Sequence, residues 1–154
     1  MEDEACQALE EAKFIVFNLG EEQFGVDISK VYRIIDLTEI TQIPKSKEYI
    51  QGVINLRGQI TPIINLRKRL GLPEKEIDEK AKIIIADFKY ESVGMIVDSV
   101  VGVRSIRGEN LEETPSLVKN KIKDNFVEGI GKLEDELIII LNIEHICLQK
   151  EESK

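Results

Sequence analysis

Tryptophan is absent from this sequence, histidine occurs once, and aromatic residues make up only 5% of it. A chain this poor in flat rings offers no stacking platform for single-stranded nucleic acid. Positive charge is also in deficit. The 21 Lys and Arg face 29 Asp and Glu, for a formal net charge of -8. Nucleic acid and anionic lipid are polyanions, so an acidic chain is a poor partner for either. The densest basic spots are Arg67-Lys68-Arg69 and the series Lys119, Lys121, Lys123. Both are expected to be solvated faces or helix ends.

Cysteine is equally sparse. Cys6 and Cys147 lie near opposite ends, with no short spacing to suggest a zinc motif or a disulfide framework. Two free thiols in a reducing cytosol are the expectation. No apolar run approaches the roughly 20 residues that span a bilayer. The longest, Ile83 to Ala86 and Leu137 to Leu141, are strand-sized. The start, Met1-Glu2-Asp3-Glu4, is acidic where a secretory signal would be basic and then apolar. A cytoplasmic location, without direct membrane insertion, is expected.

The chemistry of an enzyme is missing too. His145 has Cys147 two residues away, but residues two apart on a helix face different directions. One His and two distant Cys cannot furnish a zinc site. The carboxylate runs Glu21-Glu22, Glu112-Glu113 and Glu134-Asp135-Glu136 sit in turn-like sequence and read as solvation. Gly129-Ile130-Gly131 begins a dinucleotide fingerprint, but Glu134 stands where the third glycine belongs. No catalytic residue, cofactor site or metal site is therefore expected.

What is present is β-branched sequence broken by glycine and charge, a pattern of strands and turns. Strands are predicted at Phe14–Leu19, Gln23–Ile28, Val53–Leu56, Gln59–Asn65, Lys82–Phe88, Ser92–Val97, Gly102–Ile106, Gly129–Leu133 and Glu136–Asn142. Short helices are predicted at Ser46–Tyr49, with Ser46 as cap, at Leu66–Leu70, closed by Gly71 and Pro73, and from Ile143 onwards. Residues 1–12 read as a flexible tail, 71–79 as a linker, and 149–154 as a second tail.

Self-comparison organises the rest. At an offset of 69, Phe14–Ile34 falls on Ile83–Val103 without a gap, and Gly25 meets Gly94. At an offset of 77, Ile50–Leu66 falls on Val127–Ile143; Gly52 meets Gly129 and Asn65 meets Asn142. The difference implies an insertion in the second half, near Val118 to Asn125. An internal duplication follows, with about five short strands per half. The halves are too small to stand alone, but each can curl into a barrel packed on the other. Residues 13–148 are expected to form one domain of two barrels, roughly 14–70 and 82–143, the first completed by a C-terminal element.

Single residues refine this. Gly25 and Gly94 are expected at bulges or barrel corners. Gly58 is expected at a hairpin turn, and the second half has Glu134-Asp135-Glu136 at the matching tip. Pro62 inside a strand predicts an edge or a bulge.

Gly52-Val53-Ile54-Asn55-Leu56-Arg57-Gly58-Gln59-Ile60-Thr61-Pro62-Ile63-Ile64-Asn65-Leu66 resembles the signature of the CheW-like domain family. Phe24 to Val31, Val93 to Val100 and Ile138 to Ile143 are similar to that family in the same order. The resemblance covers roughly residues 13 to 148. It implies a mostly β fold of two intertwined five-stranded SH3-like or OB-like barrels with short helices. It also implies a non-catalytic adaptor, without cofactor, that couples transmembrane chemoreceptors to the regulatory domain of the histidine kinase CheA in bacterial chemotaxis. The adaptor is recruited to membrane-associated arrays, and other CheW-like domains in array rings are further expected partners.

Carried over by position, the resemblance assigns kinase binding to Val31, Gly52, Ile54, Asn55 and Arg57. It assigns receptor binding to Ile28, Val97 and Val101. An acidic residue often matches Arg33 in the family and pairs with the arginine matching Arg57. Arg33 is basic, which leaves Asp27 or Asp36 as candidate partners of Arg57. A CheW-like scaffold of another receptor–kinase pathway and a small β-barrel ligand-binding protein are the alternative readings.

Overall fold

The computed structural model describes residues 11–44, 47–73, 76–89, 91–112 and 126–148. The calls on Ser46, Cys6, the lysine series, residues 1–10, the insertion near Val118 to Asn125 and the tail from 149 lie outside them. In chain order the strands are β1 (Glu11–Leu19), β2 (Glu22–Asp27), β3 (Val31–Asp36), β4 (Ile50–Leu56), β5 (Gln59–Asn65) and β6 (Lys82–Asp87). There follow β7 (Ser92–Val97), β8 (Ser99–Arg107), β9 (Leu111–Glu112), β10 (Val127–Leu133) and β11 (Glu136–Leu141). Two short helices are α1 (Leu66–Leu70) and α2 (Ile143–Leu148). The predicted helix at 46–49 is replaced by a turn over its described part, closed by the Ile50 N–H donating to the Lys47 carbonyl at 3.0 Å.

The strands make two mixed sheets, ordered β8-β1-β2-β11-β10-β9 and β3-β6-β7-β5-β4. The duplication is plain in three dimensions. Offset 77 carries β4, β5 and α1 onto β10, β11 and α2. Asn65 and Asn142 match because both cap a short helix, accepting from Lys68 N at 3.2 Å and His145 N at 3.1 Å. Offset 69 carries the β1 to β3 run onto β6 to β8. The parallel pairings correspond as well: Ile63 opposite Gly94, and Ile140 opposite Gly25.

The barrels do not divide at 14–70 and 82–143. Residues 31–97 build the second sheet, while the first takes β1 and β2 from one end of the chain and β8 to β11 from the other. The halves have exchanged strands, because each half needs its missing partners from the other. The chain crosses between sheets twice, at the 3-10 turn Ile28–Lys30 and at Asp98. Each crossing is tied to the second residue of a short helix. Arg67 of α1 holds Asp98 bidentately, through Nε at 3.3 Å and Nη2 at 2.5 Å. Glu144 of α2 holds Lys30 at 2.7 Å, with the charges reversed.

Each sheet encloses a small core and both share a larger one. Ile54, Ile63, Ile83 and Ile85 belong to the second sheet's core; Phe14, Val16, Ile106, Ile138 and Ile140 belong to the first sheet's. The shared core contains Phe17, Phe24, Leu66, Leu70, Met95, Val97 and Ile146. Fully burying such side chains contributes about 1.5–3 kcal/mol each before the entropy of ordering is subtracted.

Several local expectations change. Gly25 and Gly94 lie in unbroken pairings with β1 and β6, not at bulges. Gly94 exists because a side chain there would come within 2.6 Å of Ile63 Cδ1, inside the small core. Pro62 is on an interior strand. Its opposite residue Val53 turns both backbone groups outward to Thr41, at 2.8 and 2.9 Å, so Pro62 has no donor to give β4. On its other side the β7 pairing begins only at Ile63. Strands β3 and β9 were not predicted. The first is an edge strand whose charged and half-buried residues blur the alternation.

Candidate docking surface

Hairpin β4–β5 turns through Arg57 at φ 56° and Gly58 at φ 80°. Two consecutive positive φ values define the turn whose twist matches that of the flanking strands. Asn55 secures it by accepting from the Gly58 N–H at 2.8 Å. A long charged residue in the left-handed region is uncommon, and it points Arg57 outward at the very tip. The guanidinium carbon lies 5.6 Å from the centre of the Tyr32 ring on β3. Strands β3 and β4 are opposite edges of the sheet, so this contact brings them together and curls the sheet.

Tyr32 occupies a bulge. Val31 pairs with Ala86 and Arg33 with Ile85, leaving Tyr32 as the extra residue. That is why two successive residues, Tyr32 and Arg33, are both exposed. Arg33 also stacks on the Tyr32 ring, at 5.8 Å. Neither expected acid serves Arg57: Asp36 pairs with Lys82 at 2.5 Å, which holds its carboxyl below the usual range, and Asp27 accepts from Ser29 N at 2.9 Å. Ile60, paired opposite Asn55, leaves 65% of its surface in solvent.

The other residues assigned to kinase binding are less exposed. Gly52 and Ile54 are buried and Val31 is half-buried, packed on the shared core. Gly52 abuts the Thr41 carbonyl so closely that no Cβ fits. These three shape the surface from beneath; Asn55 and Arg57 lie on it.

The second half repeats the arrangement with different chemistry. Val101 occupies the matching bulge, since Val16 pairs with Gly102 and Phe17 with Val100. Glu134, at φ 48°, replaces Arg57, and Leu137 replaces Ile60 at 63% exposure. Arg104 pairs with Glu136 at 3.0 Å beside this tip. Of the residues assigned to receptor binding, Val101 is 38% exposed and Ile28 half-buried, while Val97 is wholly inside the shared core. Val97 is not part of a surface. The sequence reasoning missed Tyr32, Ile60 and Leu137, although the two offsets pair Tyr32 with Val101 and Ile60 with Leu137.

Between the barrels, Arg69 is buried against α2. It donates from Nε to the Ile146 carbonyl at 3.0 Å and lies 4.2 Å from the Tyr49 ring and 4.9 Å from the Phe126 ring. Near it, burial pushes the Cys147 thiol up to about 12. Among the described residues no group of three or more His, Cys, Asp or Glu could hold a metal ion.

Two rigid hairpin tips on paired β-bulges, carrying exposed apolar side chains and opposite charge, define a β-sheet scaffold built to dock other proteins. The comparisons give its family. The model of the CheW-like domain matches residues 13–151, and the chain belongs to that family. It is 38% identical to the chemotaxis protein CheW of Bacillus subtilis over 92% of this chain and 90% of that one. To the chemotaxis protein CheW of Klebsiella aerogenes it is 33% identical, over 90% and 83%. The crystal structure of scaffolding protein TtCheW from Thermoanaerobacter tengcongensis superposes with a TM-score of 0.81, at 38% identity, covering 88% of this chain and 91% of that one. The protein is accordingly a chemotaxis coupling scaffold. Among the described residues, no helix is long and apolar enough to cross a membrane.

Proposed function

We propose that this chain is a non-catalytic adaptor joining chemoreceptors to the regulatory domain of the histidine kinase CheA, at receptor arrays on the cytoplasmic side of the membrane. The observation that carries the reading is the β4–β5 tip. Arg57 is held outward in a strained left-handed turn against the Tyr32 ring, with no ion pair to it among the described residues. Strain of this kind persists where the surroundings enforce it, and it clusters at recognition sites.

Kinase contact is assigned to the β4–β5 tip, through Arg57 and Asn55, with Val31, Gly52 and Ile54 supporting its shape. Receptor contact is assigned to the region of Ile28 and Val101. Other CheW-like domains in array rings would meet the same two tips. Modest interfaces of this sort gain strength by repetition around an array. A non-catalytic role agrees with a Cys147 thiol that stays protonated at neutral pH and is a poor nucleophile.

The test is to mix the purified chain with the chemotaxis kinase and pass the mixture through a size-exclusion column. A complex is expected, and Arg57→Glu should weaken it more than it lowers the melting temperature. Separate elution, together with tight binding of a small metabolite, would overturn the adaptor reading.

A further inference from the structure

We infer that Arg33, Tyr32 and Arg57 form a carboxylate clamp, and that it selects a kinase regulatory domain presenting an acidic side chain at the docked surface. This rests on the reading that the β4–β5 tip faces the kinase. Arg57 is already assigned there; Arg33 and Tyr32 are not, and the acidic partner is new.

Two guanidinium groups share one tyrosine ring, at 5.8 and 5.6 Å from its centre. Like charges around a shared ring repel, and the ring's negative face only partly offsets this. Among the described residues neither arginine has an ion pair. The two nearby acids in sequence are engaged elsewhere, Asp36 with Lys82 and Asp27 with Ser29 N. A chain of net charge -8 therefore carries, on one exposed bulge and one hairpin tip, two cations without an ion pair among the described residues.

A guanidinium fork is shaped for a carboxylate, which it can hold by two parallel hydrogen bonds. Stacking on Tyr32 orients each fork before any partner arrives, which lowers the entropy lost on binding. An incoming Asp or Glu would relieve the repulsion and be partly desolvated against the exposed Tyr32 ring. The same two cations would oppose a partner with Lys or Arg at that place, so the clamp discriminates as well as binds.

The experiment measures binding of the full chain to the purified regulatory domain of the kinase by calorimetry, for wild type, Arg33→Glu, Arg33→Ala and Tyr32→Ala. Arg33→Glu reverses one of the two charges. It is expected to weaken binding by about tenfold or more, and Arg33→Ala by less. Because the Arg33 side chain is exposed, the melting temperature of its two variants should stay near that of wild type. A scan of Asp and Glu to Lys on the regulatory domain should find one reversal that restores Arg33→Glu and harms wild type. Wild-type binding that Arg33→Glu leaves unchanged would overturn the clamp while keeping the adaptor reading. Absence of wild-type binding would overturn the adaptor reading itself. Loss of self-association in sedimentation, with kinase binding intact, would make the occupant a second copy and overturn the clamp as stated.

Discussion

Replacing Gly52 by alanine should unfold the β4 edge, and the size of the effect can be worked out. Gly52 has φ 153°, which an L side chain rarely adopts, and a Cβ there would collide with the Thr41 carbonyl oxygen and lie 2.6 Å from Ile40 Cγ2. The oxygen is backbone and cannot rotate away. The segment at Thr41 must move, which breaks its two hydrogen bonds with Val53, at 2.9 and 2.8 Å. Each bond is worth about 1 kcal/mol net. The backbone conformation adds roughly 1–3 kcal/mol of strain. Alanine returns only about 0.5 kcal/mol by restricting the unfolded chain. The expected loss is about 3 kcal/mol, a large share of an ordinary domain's stability. Gly102→Ala is the control, since Gly102 has φ 142° but nothing within 4 Å of its would-be Cβ. It should show the strain alone, about 1–2 kcal/mol. Urea unfolding of the two variants measures the difference. Equal losses would refute the collision argument. The corollary is that weakened kinase binding in a Gly52 variant reflects a deformed surface, not a lost contact.

Three further outcomes are expected. Thr61 is fully buried and its hydroxyl has no partner among the described residues, while Ile138 fills the matching place in the other barrel. Thr61→Val should therefore raise the urea midpoint, by about 1 kcal/mol of stability, and a lowered midpoint would contradict this. Arg69→Met should cost about 2–3 kcal/mol and speed hydrogen exchange in α2, because the Ile146 carbonyl loses its donor; unchanged exchange would count against that role. In a Cys6→Ser background, Cys147 should resist iodoacetamide at pH 8 in the native state and react once urea unfolds the chain. Burial raises its pKa to about 12, so the thiolate is scarce until the pH approaches that value. Labelling of native protein at an ordinary thiol rate would contradict the burial.

The sequence was most legible where punctuation and periodicity agreed. Strands β5 and β7 and helix α1 have their predicted bounds, because Gly58, Asn65 and Gly71 mark turn, cap and stop. The offsets of 69 and 77 showed which positions are equivalent. They could not show which strands pair, so the exchange of strands between halves stayed hidden. The same limit explains Val97. An apolar residue at the end of an apolar strand reads alike whether it faces a groove or a core, and here it faces the core. The bulge at Tyr32 was invisible for another reason. A single unpaired residue leaves no composition signal, yet it sets both Tyr32 and Arg33 on the outside and gives Arg57 a ring in place of an acid.

The central claim is that this scaffold couples a receptor to a kinase. The most direct measurement reconstitutes purified CheA with receptor signalling fragments in membranes, with and without this chain, and follows autophosphorylation of the kinase. The account predicts that kinase activity comes under receptor control only when the chain is present, and that Arg57→Glu loses this control while remaining folded. Receptor control that is equally strong without the chain, or a wild-type chain that restores none, would contradict it.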